Sequence, residues 1–290
     1  MPRLFDRVAI AGVGLIGGSL ALAARAAGLI SEVVGYGRTE ANLQAAKRRG
    51  IVDRYSLDAA EAARGADLLL LAVPVNAIGA VAQACAPVLR ADAIVTDVGS
   101  VKATVIDQVE GVLPPGLSFV GAHPIAGTEH SGAGAAFAEL FQGSRCIITP
   151  GRRATPAAVA KIRALWEGVG MRVDEMDAAR HDQVLAWVSH LPHALAFSAV
   201  NALLDTDPAL EQFAGSSFRD LTRVAASSVD MWSDIFLANA AQVDGAIVKF
   251  VAALEALRCA IAGGDEAQLR GQLERARRAR QEWTRRSHDG

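Results

Sequence analysis

Val8-Ala9-Ile10-Ala11-Gly12-Val13-Gly14-Leu15-Ile16-Gly17-Gly18-Ser19 decides the fold of this chain. Four apolar residues run into G-x-G-x-x-G, and a helix-compatible stretch rich in alanine and leucine follows. In a strand–turn–helix setting each glycine has its own task. Gly12 permits the tight turn, Gly14 lets a pyrophosphate approach the backbone, and Gly17 lets helix and strand pack closely. Phosphates then rest on the free N–H groups that open the helix. The reading predicts a dinucleotide ligand contacted by Gly12, Gly14, Leu15, Ile16 and Gly17.

Outward from that loop, short apolar runs recur: Val33-Val34-Gly35-Tyr36, Leu68 to Val73, Ile94-Val95-Thr96-Asp97, Phe119-Val120-Gly121-Ala122 and Cys146-Ile147-Ile148-Thr149. Alanine-rich helical patterns separate most of them. Strands apolar on both faces and separated by helices predict a parallel sheet covered on both sides. A helix over roughly 156–168 and a short strand from Met171 to Val173 complete this unit. From about residue 177 the strand signal stops. Helical patterns follow, with breaks at Asp207-Pro208 and Gly263-Gly264. The predicted architecture is a Rossmann-type, doubly wound, mostly parallel α/β domain over 1–176. An all-helical domain for substrate binding and dimerisation follows over 177–290.

Composition narrows the function classes. The 290 residues carry a formal charge of −2, and 51% are hydrophobic. A sizeable core is available, and no overall charge favours nucleic acid or an anionic membrane. The basic run Arg275, Arg277, Arg278, Arg280, Arg285, Arg286 reads as a solvated helix face. Three scattered cysteines, Cys85, Cys146 and Cys259, give neither a disulfide framework nor zinc spacing. A cytoplasmic location is expected. Residues 1–28 mimic a signal peptide, but their apolar run is the glycine fingerprint. Residues 68–89 lack charge, yet Pro74, Asn76, Gln83 and Pro87 interrupt them, so they read as strand, turn and helix. The uncharged stretch 184–204 contains Ser189, His190, Pro192 and His193 and reads as a buried helix.

The end of the second strand reports on the cofactor's ribose. Enzymes using NAD usually place an acidic residue there to bond the 2′-hydroxyl. This chain has Gly37, Arg38 and Thr39. Arg38 can hold a 2′-phosphate and Thr39 can donate a hydrogen bond, with Glu40 as a complication. NADP is therefore favoured over NAD.

Ligands of open α/β sheets bind beyond the carboxyl ends of the strands. Three loops leave such ends: Val73-Pro74-Val75, Asp97-Val98-Gly99-Ser100-Val101-Lys102, and Ala122 through Gly132. His123 directly follows a predicted buried strand and is the candidate general base. Histidine has the right proton affinity to accept a hydroxyl proton while hydride leaves the carbon. Ser100, at the neighbouring strand end, is placed to orient its imidazole.

In these segments taken together, the chain resembles the prephenate/arogenate dehydrogenase family. The matching segments are Gly12 to Ser19, Asp97 to Lys102, His123-Pro124-Ile125-Ala126-Gly127-Thr128-Glu129, Ser189-His190-Leu191-Pro192-His193, and Phe218-Arg219-Asp220-Leu221-Thr222-Arg223 followed by Met231-Trp232. They stand in family order over most of the chain. The resemblance implies oxidative decarboxylation of prephenate or arogenate in tyrosine biosynthesis, with hydride passing to NAD(P). By the same resemblance His123 accepts the ring-hydroxyl proton, and Ser100 supports it near the nicotinamide. Arg223 binds a substrate carboxylate, His193 places the substrate, and Glu129 shapes or gates the pocket. Arg219 adds positive charge, and Thr128 joins the substrate contacts. Val73 and Pro74 join the cofactor contacts, and a homodimer forms through the helical domain.

The residues agree with those roles. A dianionic substrate needs fixed positive charge, and Arg219 and Arg223, four apart, share a helix face. His190 and His193, three apart, share another, and Pro192 frees a backbone carbonyl there. No metal-ligand cluster is visible, so no metal is expected. No room is expected for an appended regulatory domain or a fused mutase. Two-domain hydroxyacid or imine dehydrogenases are the competing enzyme class. The hydroxyacid type relies on a lysine in the helical domain, and residues 177–248 contain none. A non-catalytic NADP-sensing regulator is the alternative outside catalysis.

Overall fold

The computed structural model describes residues 2–128 and 130–288. Eight strands and twelve α-helices follow in chain order: β1 (Phe5–Ala11), α1 (Leu15–Ala26), β2 (Ile30–Tyr36), α2 (Glu40–Arg48), β3 (Arg54–Ser56), α3 (Ala59–Ala63), β4 (Leu68–Leu71), α4 (Val75–Cys85), β5 (Ile94–Asp97), α5 (Ala103–Glu110), β6 (Ser118–Ile125), β7 (Arg145–Pro150), α6 (Pro156–Gly168), β8 (Arg172–Glu175), α7 (Ala178–Leu185), α8 (Leu191–Thr206), α9 (Ser216–Thr222), α10 (Val229–Ala238), α11 (Ala240–Ala262) and α12 (Glu266–His288). The strands form one sheet in the order β3-β2-β1-β4-β5-β6-β7-β8. Every pairing is parallel except β6 with β7.

The doubly covered sheet follows from side-chain alternation. Along β4, Leu68 and Leu70 join one core and Leu69 and Leu71 the other. In β1, Val8 and Ile10 face the first core while Ala9 and Ala11 face the second. Successive strand side chains point to opposite faces, so strands buried on both sides must be apolar throughout. Each fully buried leucine contributes about 1.5–3 kcal/mol. Trp166 of α6 is wholly buried and meets Phe141 edge-to-face, with centroids 5.4 Å apart.

Two local expectations are corrected. The three-residue edge strand β3 carries Arg54, Tyr55 and Ser56, a polar sequence with no apolar run to announce it. His123 lies inside β6, opposite Ile147 of β7, and does not follow the strand. β6 pairs with β5 only from Ser118 to Val120, while β7 holds it as far as Ile125. Pro124, which has no N–H, is tolerated because one edge of β6 is free at that point.

The uncharged stretch 184–204 is likewise not one buried helix. It consists of the end of α7, a π-turn from Ala186 to His190, and α8. Only Leu191 and Ala196 of α8 are buried. By internal packing the chain divides into a unit ending at Ala240 and a second unit beginning at Ala241. The second consists of nearly all of α11 together with α12, joined across Gly264, whose φ is +63°. No helix among the described residues is long and apolar enough to cross a membrane.

Candidate active site

The glycine loop forms as its sequence demands. Gly12 has φ +98°, and a Cβ there would stand 2.2 Å from the Ala72 carbonyl oxygen. A Cβ on Gly17 would stand 2.5 Å from the Gly12 carbonyl oxygen. Gly14 differs, because a Cβ there would meet no atom of the chain within 4 Å. It is the N-cap of α1 and brings no side-chain cap. The first-turn N–H groups of a helix have no partner within the helix, so an anion can take them. These residues fit a dinucleotide pyrophosphate. Gly14→Val is accordingly expected to weaken cofactor binding at least about tenfold, or about 1.4 kcal/mol. Titration calorimetry would measure this, with an unchanged melting temperature showing that the fold is intact.

Beyond the strand ends runs a groove of about 300 Å³, lined among others by Gly12, Gly14, Gly37, Arg38, Thr39, Val73 and Pro74. A larger cavity of about 660 Å³ shares Gly14, Arg38, Val73 and Pro74 with it. That cavity is also lined by Leu15, Ile16, Gly17, Ser100, His123, Thr128 and His130. From α10, Asp230, Met231, Asp234 and Ile235 complete its wall. Arg38 is exposed at the junction of the two spaces. Thr39 is the N-cap of α2 and makes no side-chain cap bond. Glu40 accepts a hydrogen bond from Gln44, one turn along α2, at 3.3 Å.

His123 sits at the wall of this cavity, 8% exposed. Its Nδ1 lies 2.9 Å from Nε2 of His181, and Nδ1 of His181 lies 2.7 Å from a carboxylate oxygen of Asp182. The ionised carboxylate only accepts, so His181 carries its proton on Nδ1 and presents a bare Nε2. His123 then donates from Nδ1 and keeps Nε2 bare. Asp182 is pinned further by the backbone N–H groups of Lys102 at 2.8 Å and Ala103 at 2.9 Å, which open α5. Burial, and then the nearby His181, Lys102 and His190, hold the His123 imidazole well below its ordinary pKa. The imidazole's partner is therefore His181, and no hydrogen bond joins Ser100 to it. Position along the chain hid this, because His181 lies 58 residues further on.

A buried ion pair fixes the strand beneath the base. Lys102 Nζ bonds the Asp97 carboxylate and donates to the Ala122 carbonyl oxygen at 2.8 Å, and both charged side chains are fully buried. Asp97 accepts in turn from the N–H groups of Ala122 at 3.1 Å and Gly99 at 2.8 Å. The end of β5 is thus tied to the middle of β6, one residue before His123.

A second ring cluster contains His190 and His193, which both rest on Trp232. His193 is stacked on it at 3.6 Å between centroids, and His190 meets it edge-on at 5.9 Å. Asn239 donates to the Asp182 carbonyl oxygen at 2.9 Å and sits 3.1 Å from His190 Nδ1. Burial pushes His190 down to about 4. Burial also lowers His193, the bond from its Nδ1 to the Ser189 carbonyl oxygen opposes this, and nearby Arg223 lowers it further.

Arg219 and Arg223 do not share one regular helix. α9 ends at Thr222, and Arg223 opens a separate 3₁₀ turn. Both are exposed, and neither makes an ion pair among the described residues. Neither they nor His193 line the His123 cavity. Glu129 lies outside the described residues. The sequence reading missed His181, Asp182, Asn239 and the roles of Asp97 and Lys102. A His-Asp pair in a helix's first turns was the only local signal for the first two.

Two family models match the chain. One is described as prephenate dehydrogenase, nucleotide-binding domain, over residues 20–175. The other is described as prephenate dehydrogenase, dimerization domain, over residues 177–275. A cyclohexadienyl dehydrogenase of Zymomonas mobilis is 40% identical over 281 residues, covering 96% of each chain. The crystal structure of prephenate dehydrogenase from A. aeolicus, in complex with hydroxyphenyl propionate and NAD+, matches with a TM-score of 0.90 and 36% identity. It covers 96% of this chain and 98% of that one. Synechocystis arogenate dehydrogenase matches with a TM-score of 0.82 and 27% identity, covering 96% and 99%.

Proposed function

This chain belongs to the prephenate dehydrogenase family, and from that premise we propose how its cavity oxidises and decarboxylates prephenate or arogenate and which partners it prefers. The observation that carries the reading is one continuous lining from the glycine loop to His123, whose bare Nε2 is its only free ring nitrogen. A bound nicotinamide supplies the two-electron hydride acceptor. His123 Nε2 takes the proton of the ring hydroxyl as hydride leaves the same carbon. The dienone so formed loses its carboxylate as carbon dioxide; the electron pair left behind makes an aromatic phenolate, which takes the proton back from the imidazole to give the phenol. Ser100 lines the same cavity and is assigned to the nicotinamide end of it. Arg223 and Arg219 lie outside the lining of this cavity and make no ion pair among the described residues; they supply charge for a substrate carboxylate from beyond it, with His193 near Arg223. Thr128, which lines the cavity, joins the substrate contacts, and Glu129 is assigned to the substrate on its place in the sequence alone.

NADP is the preferred cofactor in this proposal. Arg38 stands at the groove and makes no ion pair among the described residues, and Glu40 is engaged by Gln44. Arg38→Ala is expected to lower the NADP-to-NAD ratio of kcat/KM about tenfold, near 1.4 kcal/mol; an unchanged ratio would make Arg38 a bystander. Arogenate is accepted beside prephenate, because Asp230 and Asp234 bring carboxylates to the cavity wall that suit an ammonium group. Asp234 already accepts from Asn76 at 3.0 Å, which leaves Asp230 the freer of the two.

The working form in this proposal is a homodimer through the helical part. In α11, Val248, Val251, Leu254 and Ile261 are more than half exposed and share a broad side of the helix. Contiguous apolar surface of that kind marks an association face. A reducing compartment suits the three free thiols. The deciding experiment is formation of reduced nicotinamide by purified protein, with prephenate or arogenate crossed against NADP or NAD. Turnover with arogenate and NADP among the best pairings supports the whole reading. No turnover from folded, cofactor-binding protein would remove it.

A further inference from the structure

Once His123 has taken a proton it would be a cation in poor surroundings. It is almost fully buried, and among the described residues the charged or chargeable groups acting on it are His181, Lys102 and His190. His181, also fully buried, is placed otherwise. Burial, and then Lys102, lower its pKa too, but its Nδ1 is 2.7 Å from Asp182, and that bond and the carboxylates of Asp182 and Asp97 oppose the lowering. Asp182 itself cannot turn away, because Lys102 N and Ala103 N hold its two oxygens.

Resting on the reading of His123 as the base, we propose that His181 and Asp182 form a proton relay with it. As His123 Nε2 accepts the substrate's hydroxyl proton, the Nδ1 proton of His123 passes to His181 Nε2. One N–H bond forms on each ring and one breaks on His123. The imidazolium then rests on His181, where the Asp182 carboxylate faces it, and His123 stays neutral. The positive charge moves one ring inward, onto the imidazole that pairs with the Asp182 carboxylate. His181 is thus a positioning and relay residue that never touches the substrate.

Three measurements test the relay. Imidazole nitrogen NMR of the unmodified protein should show the Nδ1–H tautomer at both His123 and His181, and an Nε2–H tautomer at His123 would overturn the relay whether or not turnover is found. If the protein does turn over, kcat/KM in mixtures of light and heavy water should fall on a bowed curve, as two protons in flight require. A straight line would overturn the relay while leaving His123 as the base. His181→Asn should lower kcat about a hundredfold, within the range for proton-transfer groups. The substrate KM and cofactor affinity should change little, and the bowed curve should straighten. Unchanged kcat in this variant would reduce His181 to packing. Should the variant fail to fold, the two measurements on the unmodified protein decide. If no substrate pairing turns over, the functional reading fails and the NMR tautomers alone judge the relay.

Discussion

Replacing His123 by Asn should lower kcat/KM by about a hundredfold to ten-thousandfold. The amide occupies nearly the same space and can still donate to His181 Nε2, so the wall of the cavity keeps its shape. What it cannot do is accept a proton. Cofactor affinity should therefore be unchanged, and a steady-state assay beside a binding titration separates the two effects. The pH profile of the unmodified protein gives a matching check. Burial and the neighbouring positive groups hold His123 well below its ordinary value, so the imidazole is bare across neutrality. Activity should be flat there and fall only as the pH drops through the lowered value.

The same shift has a sign for stability. The unfolded chain takes up these protons near the ordinary value of 6.5 and the folded chain resists them. Above that value the effect is absent. Below it stability declines as the pH falls, and for His190 the decline is complete near about 4.

Lys102→Met is the substitution expected to cost the most stability, about 3–5 kcal/mol. It leaves the Asp97 carboxylate charged, fully buried and without its cation. It also removes the donor to the Ala122 carbonyl oxygen. Denaturant unfolding should show a lower midpoint at an unchanged slope. Adding Asp97→Asn should recover only part of the loss. The carboxylate accepts from both Gly99 and Ala122 with separate oxygens, and an amide has one acceptor. An unchanged midpoint in Lys102→Met would show that the pair does not hold β5 to β6.

Much of the sheet was legible because periodicity and composition are local. Strands such as Leu68–Leu71, apolar on both faces, have few other places to go, and the loop from Gly12 to Gly17 needs its glycines for steric reasons visible in three residues. β3 was not legible, since an edge strand of Arg54, Tyr55 and Ser56 owes its form to a neighbour and not to its own pattern. The position of His123 beside the nucleotide loop was legible because the parallel pairing of β6 with β5 ends at Val120, so the residue lies beyond the parallel sheet although β6 itself continues. Its partner was not. Ser100 was the nearer guess along the neighbouring strand, whereas His181 reaches it only after β8 has crossed to the far side of β7. Tautomers are set by contacts of this long-range kind, which no spacing within a motif encodes.

That separation bears on the order in which the protein becomes competent. An emerging chain presents the nucleotide cradle before the other strand ends, and the His181-Asp182 pair only after the last strand of the sheet. Contacts so distant in sequence close late, because loop entropy opposes them until the intervening structure is in place. The imidazole is armed by one of the slower events of folding, so a half-made chain holds its dinucleotide loop before it holds a working base.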